Sequence, residues 1–109
     1  MISISWIYLG IAIILEVAGT MSLKFSSQNN SIVATLFVIV FYVASFGFLW
    51  LAIKKLDVSL AYAIWAGVGT ALIATLGWLI FKDTMTLMKV LFISLIVIGV
   101  VGLKLVSTE

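Results

Sequence analysis

Val90 to Leu103 reads VLFISLIVIGVVGL, with Ser94 as its one polar side chain. Extended to its polar neighbours, the run covers Leu87 to Val106. At about 1.5 Å per residue, a helix of that length is roughly 30 Å long, the thickness of a bilayer's hydrocarbon core. Three further runs match it: Ile2 to Leu23, Ile32 to Ile53, and Val58 to Phe81. Each makes a helix of roughly 30–36 Å. The sequence therefore predicts an all-α membrane protein, one domain over residues 1–109 with four transmembrane helices.

The connections agree. Lys24 to Ser31 (KFSSQNNS) is polar, and Gln28-Asn29-Asn30-Ser31 carries turn chemistry. Lys54-Lys55-Leu56-Asp57 and Lys82-Asp83-Thr84-Met85-Thr86 are short charged links. Short links make neighbouring helices antiparallel, so the bundle runs up-down-up-down. Asp57 or Ser59 can cap the third helix, and Thr84 or Thr86 the fourth. The first run is not a signal peptide: it lacks a basic n-region, is too long for an h-region and carries Glu16 in its middle. No internal repeat or low-complexity segment is evident.

Composition narrows the function classes. Of the 109 residues, 65% are hydrophobic and 9% charged, and the mean hydropathy is +1.40. A soluble domain is about 25% charged, so a soluble enzyme is excluded. The chain has no Cys, His, Arg or Pro. That removes disulfides, thiol and histidine catalysis, and histidine metal sites; no metal or cofactor is expected. The pI of about 9.1 comes from six scattered Lys against four acids, not from the clustered basic face of a nucleic-acid binder.

Lysine also bears on orientation. Lys54, Lys55 and Lys104 fall on one side of the membrane; Lys24, Lys82 and Lys89 fall on the other. Lys/Arg bias in the loops normally fixes orientation, and here it is nil. Three readings are open: a weak bias happens to cancel, a partner imposes orientation, or the chain inserts both ways.

Glu16 is the costly residue. It lies near the middle of the first run, where a carboxylate costs several kcal/mol. No other charge lies deep in a span, since the lysines sit at ends or can snorkel. Glu16 thus either holds a proton or pairs with an external cation. A group that does both is an exchange site, where proton and cation lower each other's affinity reciprocally. The plainer alternative is a protonated side chain that only donates a hydrogen bond between helices. Ala12, Ile13, Gly19, Thr20 and Leu23 share its face. Gly19 and Thr20 leave room beside the carboxylate or let another helix approach.

The third run supplies aromatics. Tyr62, Trp65 and Gly69 recur on one face, with Trp65 deeper than an interface belt. Trp is the best cation–π partner, worth up to about 2 kcal/mol when desolvated. The Tyr62 hydroxyl can hydrogen-bond Glu16 in either protonation state; the plainer alternative is that these aromatics mark the membrane interface or fill core. Trp6, Tyr8, Trp50 and Trp78 lie near ends and read as interfacial anchors or cavity-mouth residues. In the second run Tyr42, Ser45 and Phe46 share a face that can complete an aromatic wall. Gly67 and Gly69 either bend the third helix or serve close packing. Gly99 and Gly102 on the fourth can seat a partner helix. A single four-helix bundle fills its own centre, so a chamber for a bulky cation calls for a second copy. Two inverted copies would then share one midplane site.

LEVAGTMSLKFS (Leu15 to Ser26) and AYAIWAGVGT (Ala61 to Thr70) closely resemble the small multidrug resistance family, as do the chain length, the four spans and WIYLG at Trp6 to Gly10. The resemblance implies a proton-coupled exporter of small organic cations, working as an antiparallel dimer in the bacterial cytoplasmic (inner) membrane, with protons as coupling ion. It places Glu16 on the essential carboxylate, Trp65 and Tyr62 on the site aromatics, Gly67 and Gly69 on the bend, and Tyr42, Ser45 and Phe46 on site-lining positions. Guanidinium exporters in the family carry Trp where this chain has Gly19; Glu16-Val17-Ala18-Gly19-Thr20 resembles the quaternary-ammonium branch. Gly47 stands where drug exporters often have Trp, and Phe92 where Gly often serves dimer packing. The stretch LDVSLAYAIWAGVG is also similar to paired polyamine exporters, which form heterodimers. The alternatives to a quaternary-ammonium exporter are therefore a guanidinium or polyamine exporter, possible as a heterodimer with a paralogue, a non-transporting assembly subunit, and a proton-conducting ring subunit. The last usually needs a Gly-rich two-helix hairpin, which is absent.

Overall fold

The computed structural model describes residues 3–107. Four helices follow one another: α1 (Ile4–Asn29), α2 (Ile32–Ala52), α3 (Val58–Ile80) and α4 (Leu87–Val106). All four are long and apolar enough to cross a membrane. Most of their large apolar side chains are exposed. In water such surfaces would drive aggregation; in a bilayer they meet acyl chains at no cost. The helices form two compact units, residues 1–55 and 56–109.

Three of the spans start and end within a residue of the sequence expectation. The first does not. Its expected start at Ile2 lies outside the described residues, and its end lies at Asn29 rather than Leu23. Polar residues do not end a helix unless they offer the backbone something better. Here they return their hydrogen bonds to it: Ser22 Oγ donates to the Ala18 carbonyl at 2.9 Å, Ser27 Oγ to Lys24 O at 2.9 Å, and Asn29 Nδ2 to Phe25 O at 3.0 Å. The reversal is confined to Asn30, which is left-handed at φ 50°, ψ 43°. Ser31 then starts α2: its hydroxyl accepts from the Ala34 N–H at 3.1 Å and its carbonyl from the Thr35 N–H at 3.1 Å. A polar octapeptide thus contains a two-residue link.

In the first unit, α1 and α2 form an antiparallel hairpin packed along its length. Ser5, Ala12 and Gly19 are buried on α1 at seven-residue spacing, and Val38, Ser45 and Ala52 on α2 at the same spacing. A seven-residue repeat keeps one seam facing its partner, and small side chains let the backbones come close. Cross-helix contacts fix the register. Tyr8 meets Phe48 with centroids 6.0 Å apart, Ser45 Oγ donates to Ala12 O at 2.6 Å, and Ser26 shares a 2.6 Å hydrogen bond with Thr35. At the end of α2, Lys54 Nζ lies 4.1 Å from the centre of the Trp50 ring. That contact suits an anchor at the membrane boundary.

The second unit is sparser. Leu60, Ala61, Gly67, Gly69 and Gly77 of α3 are buried, and no residue of α4 is. Asp57 is the N-cap residue of α3, with no side-chain cap bond. Thr86 caps α4, its Oγ1 accepting from the Lys89 N–H at 3.1 Å. The α3 helix runs through Gly67 and Gly69 without interruption. Gly67 permits close packing, since a Cβ there would collide with Cγ2 of Val100 on α4. Gly99 and Gly102 face open space.

Asn30→Val is expected to destabilise the first hairpin by about 1–2 kcal/mol, the cost of forcing a β-branched residue left-handed. Asn30→Gly should be neutral or mildly stabilising. Equilibrium unfolding in mixed micelles measures both.

Candidate functional site

Glu16 and Thr20 lie one helical turn apart on α1, so their side chains meet. Thr20 Oγ1 donates to Glu16 Oε1 at 3.0 Å. Thr20 Oγ1 also lies 2.7 Å from the Tyr42 hydroxyl of α2. A threonine hydroxyl has one hydrogen. When it is given to Glu16, the Tyr42 O–H must be the donor to Thr20. The chain therefore runs Tyr42 to Thr20 to Glu16, every donor aimed at the carboxylate. When Glu16 carries a proton on Oε1, the same three oxygens can reverse the sense without moving: Glu16 donates to Thr20, and Thr20 to Tyr42. The hydroxyl rotor thus accommodates both forms of the acid.

Gly19 makes the arrangement possible. A Cβ at residue 19 would stand 2.7 Å from two carbons of the Tyr42 ring, Cδ1 and Cε1. Of the two expectations for this glycine, room beside the carboxylate or helix approach, the structure has the second. The space is filled by Tyr42, whose ring lies on the α1 backbone and whose hydroxyl reaches the next residue.

The remaining expected site residues divide. Ala12, at 0% exposure, and Ile13 are buried, and so is Ser45, at 1%. In this conformation Ala12 and Ser45 are joined by their hydrogen bond across the α1–α2 seam. Phe46 is exposed on α2. On α3, Tyr62 is 62% exposed and Trp65 half-buried. Their rings make an edge contact, with centroids 5.9 Å apart and planes at 64°. The structure thus brings together Glu16, Gly19, Thr20 and Tyr42 in the first unit, and Tyr62 with Trp65 in the second. Within the first unit, the tyrosine in the carboxylate's hydrogen-bond chain is Tyr42, reached through Thr20.

Thr20 is the residue that sequence reasoning undervalued. It was legible as a small neighbour of Glu16, but not as its hydrogen-bond donor. The signal was the i, i+4 spacing itself. Chemically, the first unit offers one carboxylate with an oriented donor and one open oxygen, Oε2, for a proton or cation. The second offers two aromatic faces suited to an organic cation. Among the described residues no group of three or more His, Cys, Asp or Glu side chains is placed to hold a metal ion.

Comparison with known proteins places these residues in context. Residues 4–96 match the model of a family described as Small Multidrug Resistance protein. The chain is 46% identical over 103 residues to the uncharacterized membrane protein YvaE of Bacillus subtilis, covering 94% of this chain and 87% of the relative. It is 42% identical over 98 residues to the multidrug resistance protein EbrB of the same organism, covering 90% and 84%. Glu16, Gly19, Thr20, Tyr42, Tyr62 and Trp65 all fall within the family match.

Gly19→Ala should cost about 1–3 kcal/mol, as overpacking does in a tight interface. In a Tyr42→Ala background the same substitution should cost little. A double-mutant cycle by equilibrium unfolding reads the coupling.

Proposed function

We propose a function on this premise: the chain belongs to the Small Multidrug Resistance protein family, small multi-pass bacterial membrane proteins that transport small organic substrates. Within that frame it is a proton-coupled antiporter that exports lipophilic and quaternary ammonium cations across the cytoplasmic membrane. The observation that carries this reading is Glu16: the one acid inside the spans, holding an oriented hydroxyl on one oxygen. The multidrug designation of EbrB supports the substrate class.

The exchange follows from one carboxylate serving two ligands. A proton on Glu16 makes the span neutral, so it can face a dry interior. Cation binding requires that proton to leave. The bound cation then neutralises the same charge, and Tyr62 and Trp65 add their ring faces. Both loaded forms are neutral and able to change access; the empty carboxylate is charged and is not. That asymmetry couples cation exit to proton entry. Thr20 keeps the carboxylate oriented throughout, with Tyr42 behind it.

A second copy of the chain, inserted the other way round, completes the chamber. The equal lysine counts permit both orientations, and Gly99 and Gly102 leave α4 open to a partner helix. Inverted copies would offer equivalent sites to each side of the membrane.

Isothermal titration of the purified chain with tetraphenylphosphonium, a simple quaternary ammonium and guanidinium tests the reading. Affinity for the bulky cations should weaken about tenfold per unit fall in pH for each proton displaced, once Glu16 is protonated. Glu16→Gln should abolish both binding and cation-driven proton release. Binding of guanidinium alone assigns the other branch of the family. Cation binding that survives in Glu16→Gln with its pH dependence intact overturns the mechanism.

A further inference from the structure

A second feature lies wholly within the 56–109 unit and is independent of the transport reading. An open groove of about 510 Å³ runs between α3 and α4. Its walls are apolar, formed chiefly by Ile73, Phe92, Ile93 and Ile96, and its charged lining residues are Asp83 and Lys89. Lys89 and Ile96 are seven helical rises apart on α4, so the groove extends about 10 Å into the membrane from the α3–α4 link. An apolar channel with its charges at one end matches the division of a phospholipid into acyl chain and headgroup.

The two charges are held in place. Lys82 takes the left-handed conformation at φ 58°. That turn folds the chain back, so the Asp83 N–H donates to Gly77 O at 3.1 Å, beside the Phe81 N–H at 2.9 Å. The Asp83 carboxylate is thereby laid against Gly77, where a Cβ would stand 2.5 Å from Oδ2. It sits at the C-terminal end of α3, where the helix dipole is negative and a carboxylate is disfavoured. Asp83 makes no ion pair among the described residues. A cation is what this position lacks. Lys89 is fixed differently: its Nζ donates to Thr84 O at 2.9 Å. Two of its three N–H groups remain for an anion.

We propose that this groove binds a zwitterionic phospholipid with a primary amine headgroup: the phosphate on Lys89, the ammonium on Asp83, and one acyl chain along Phe92, Ile93 and Ile96. One acid and one base select against a purely anionic headgroup, which Asp83 repels. They also select against a quaternary headgroup, which has no N–H to give a carboxylate. Gly77 is required because any side chain there would displace Asp83.

The test uses the full chain, reconstituted with equal amounts of phosphatidylethanolamine, phosphatidylcholine and phosphatidylglycerol and released into mild detergent. Native mass spectrometry then reads the retained lipid. Phosphatidylethanolamine should be retained about fivefold over phosphatidylcholine, the factor that one additional hydrogen bond to a carboxylate supports. Asp83→Asn should erase that preference while lipid is still retained. Ile93→Trp should lower retention of all three, with circular dichroism confirming that the helices persist. An undiminished preference in Asp83→Asn overturns the proposal, as does preferential retention of phosphatidylglycerol. So does a shift in oligomeric mass in Ile93→Trp with lipid retention unchanged, which would give the groove to a second copy of the chain.

Discussion

The first unit turns on the contact between the Tyr42 ring and the bare backbone of Gly19. Hydrocarbon provides no hydrophobic force between helices, so association depends on close packing and on hydrogen bonds made across the interface. At Gly19 both occur within one turn. The ring lies where a Cβ would be, and its hydroxyl meets Thr20, the next residue. The same geometry that holds α1 to α2 therefore aims the donors at Glu16. Stability and site share one contact, which limits how freely either can be altered.

The fold was largely legible because the bilayer simplifies the problem. No backbone polar group can go unsatisfied in hydrocarbon, so an apolar run of spanning length is a helix. Three spans could be bounded almost to the residue. The end of α1 could not, because Ser22, Ser27 and Asn29 have the composition of a turn and yet bond to the helix they sit on. Only Asn30 is a turn residue in fact. Gly67 was ambiguous for a similar reason. Glycine signals bending and close packing alike, and the close approach of Val100, which shows the packing, depends on a helix the spacing does not place.

For the site, Glu16 was legible from cost alone. Its partners were not, since they depend on which residues of α2 face α1. A signal did exist. Ser5, Ala12 and Gly19 repeat every seven residues, as do Val38, Ser45 and Ala52. Laying one series against the other in antiparallel sense pairs Ala12 with Ser45 and brings Gly19 to the turn that holds Tyr42. The arrangement of Tyr62 and Trp65 was legible from spacing alone, because both lie on one helix.

The extra turns of α1 have a mechanical meaning. From Glu16 to Asn29 the helix is continuous, about 20 Å of rigid rod. Its last two turns are polar and largely exposed, and a two-residue link ties them to α2. A rod of this kind cannot turn at one end and stay still at the other. A small tilt of α1 about the carboxylate becomes a displacement of several ångströms at Ser27 and Asn29. The polar tip therefore stands at the end of a lever about 20 Å long whose other end carries the carboxylate.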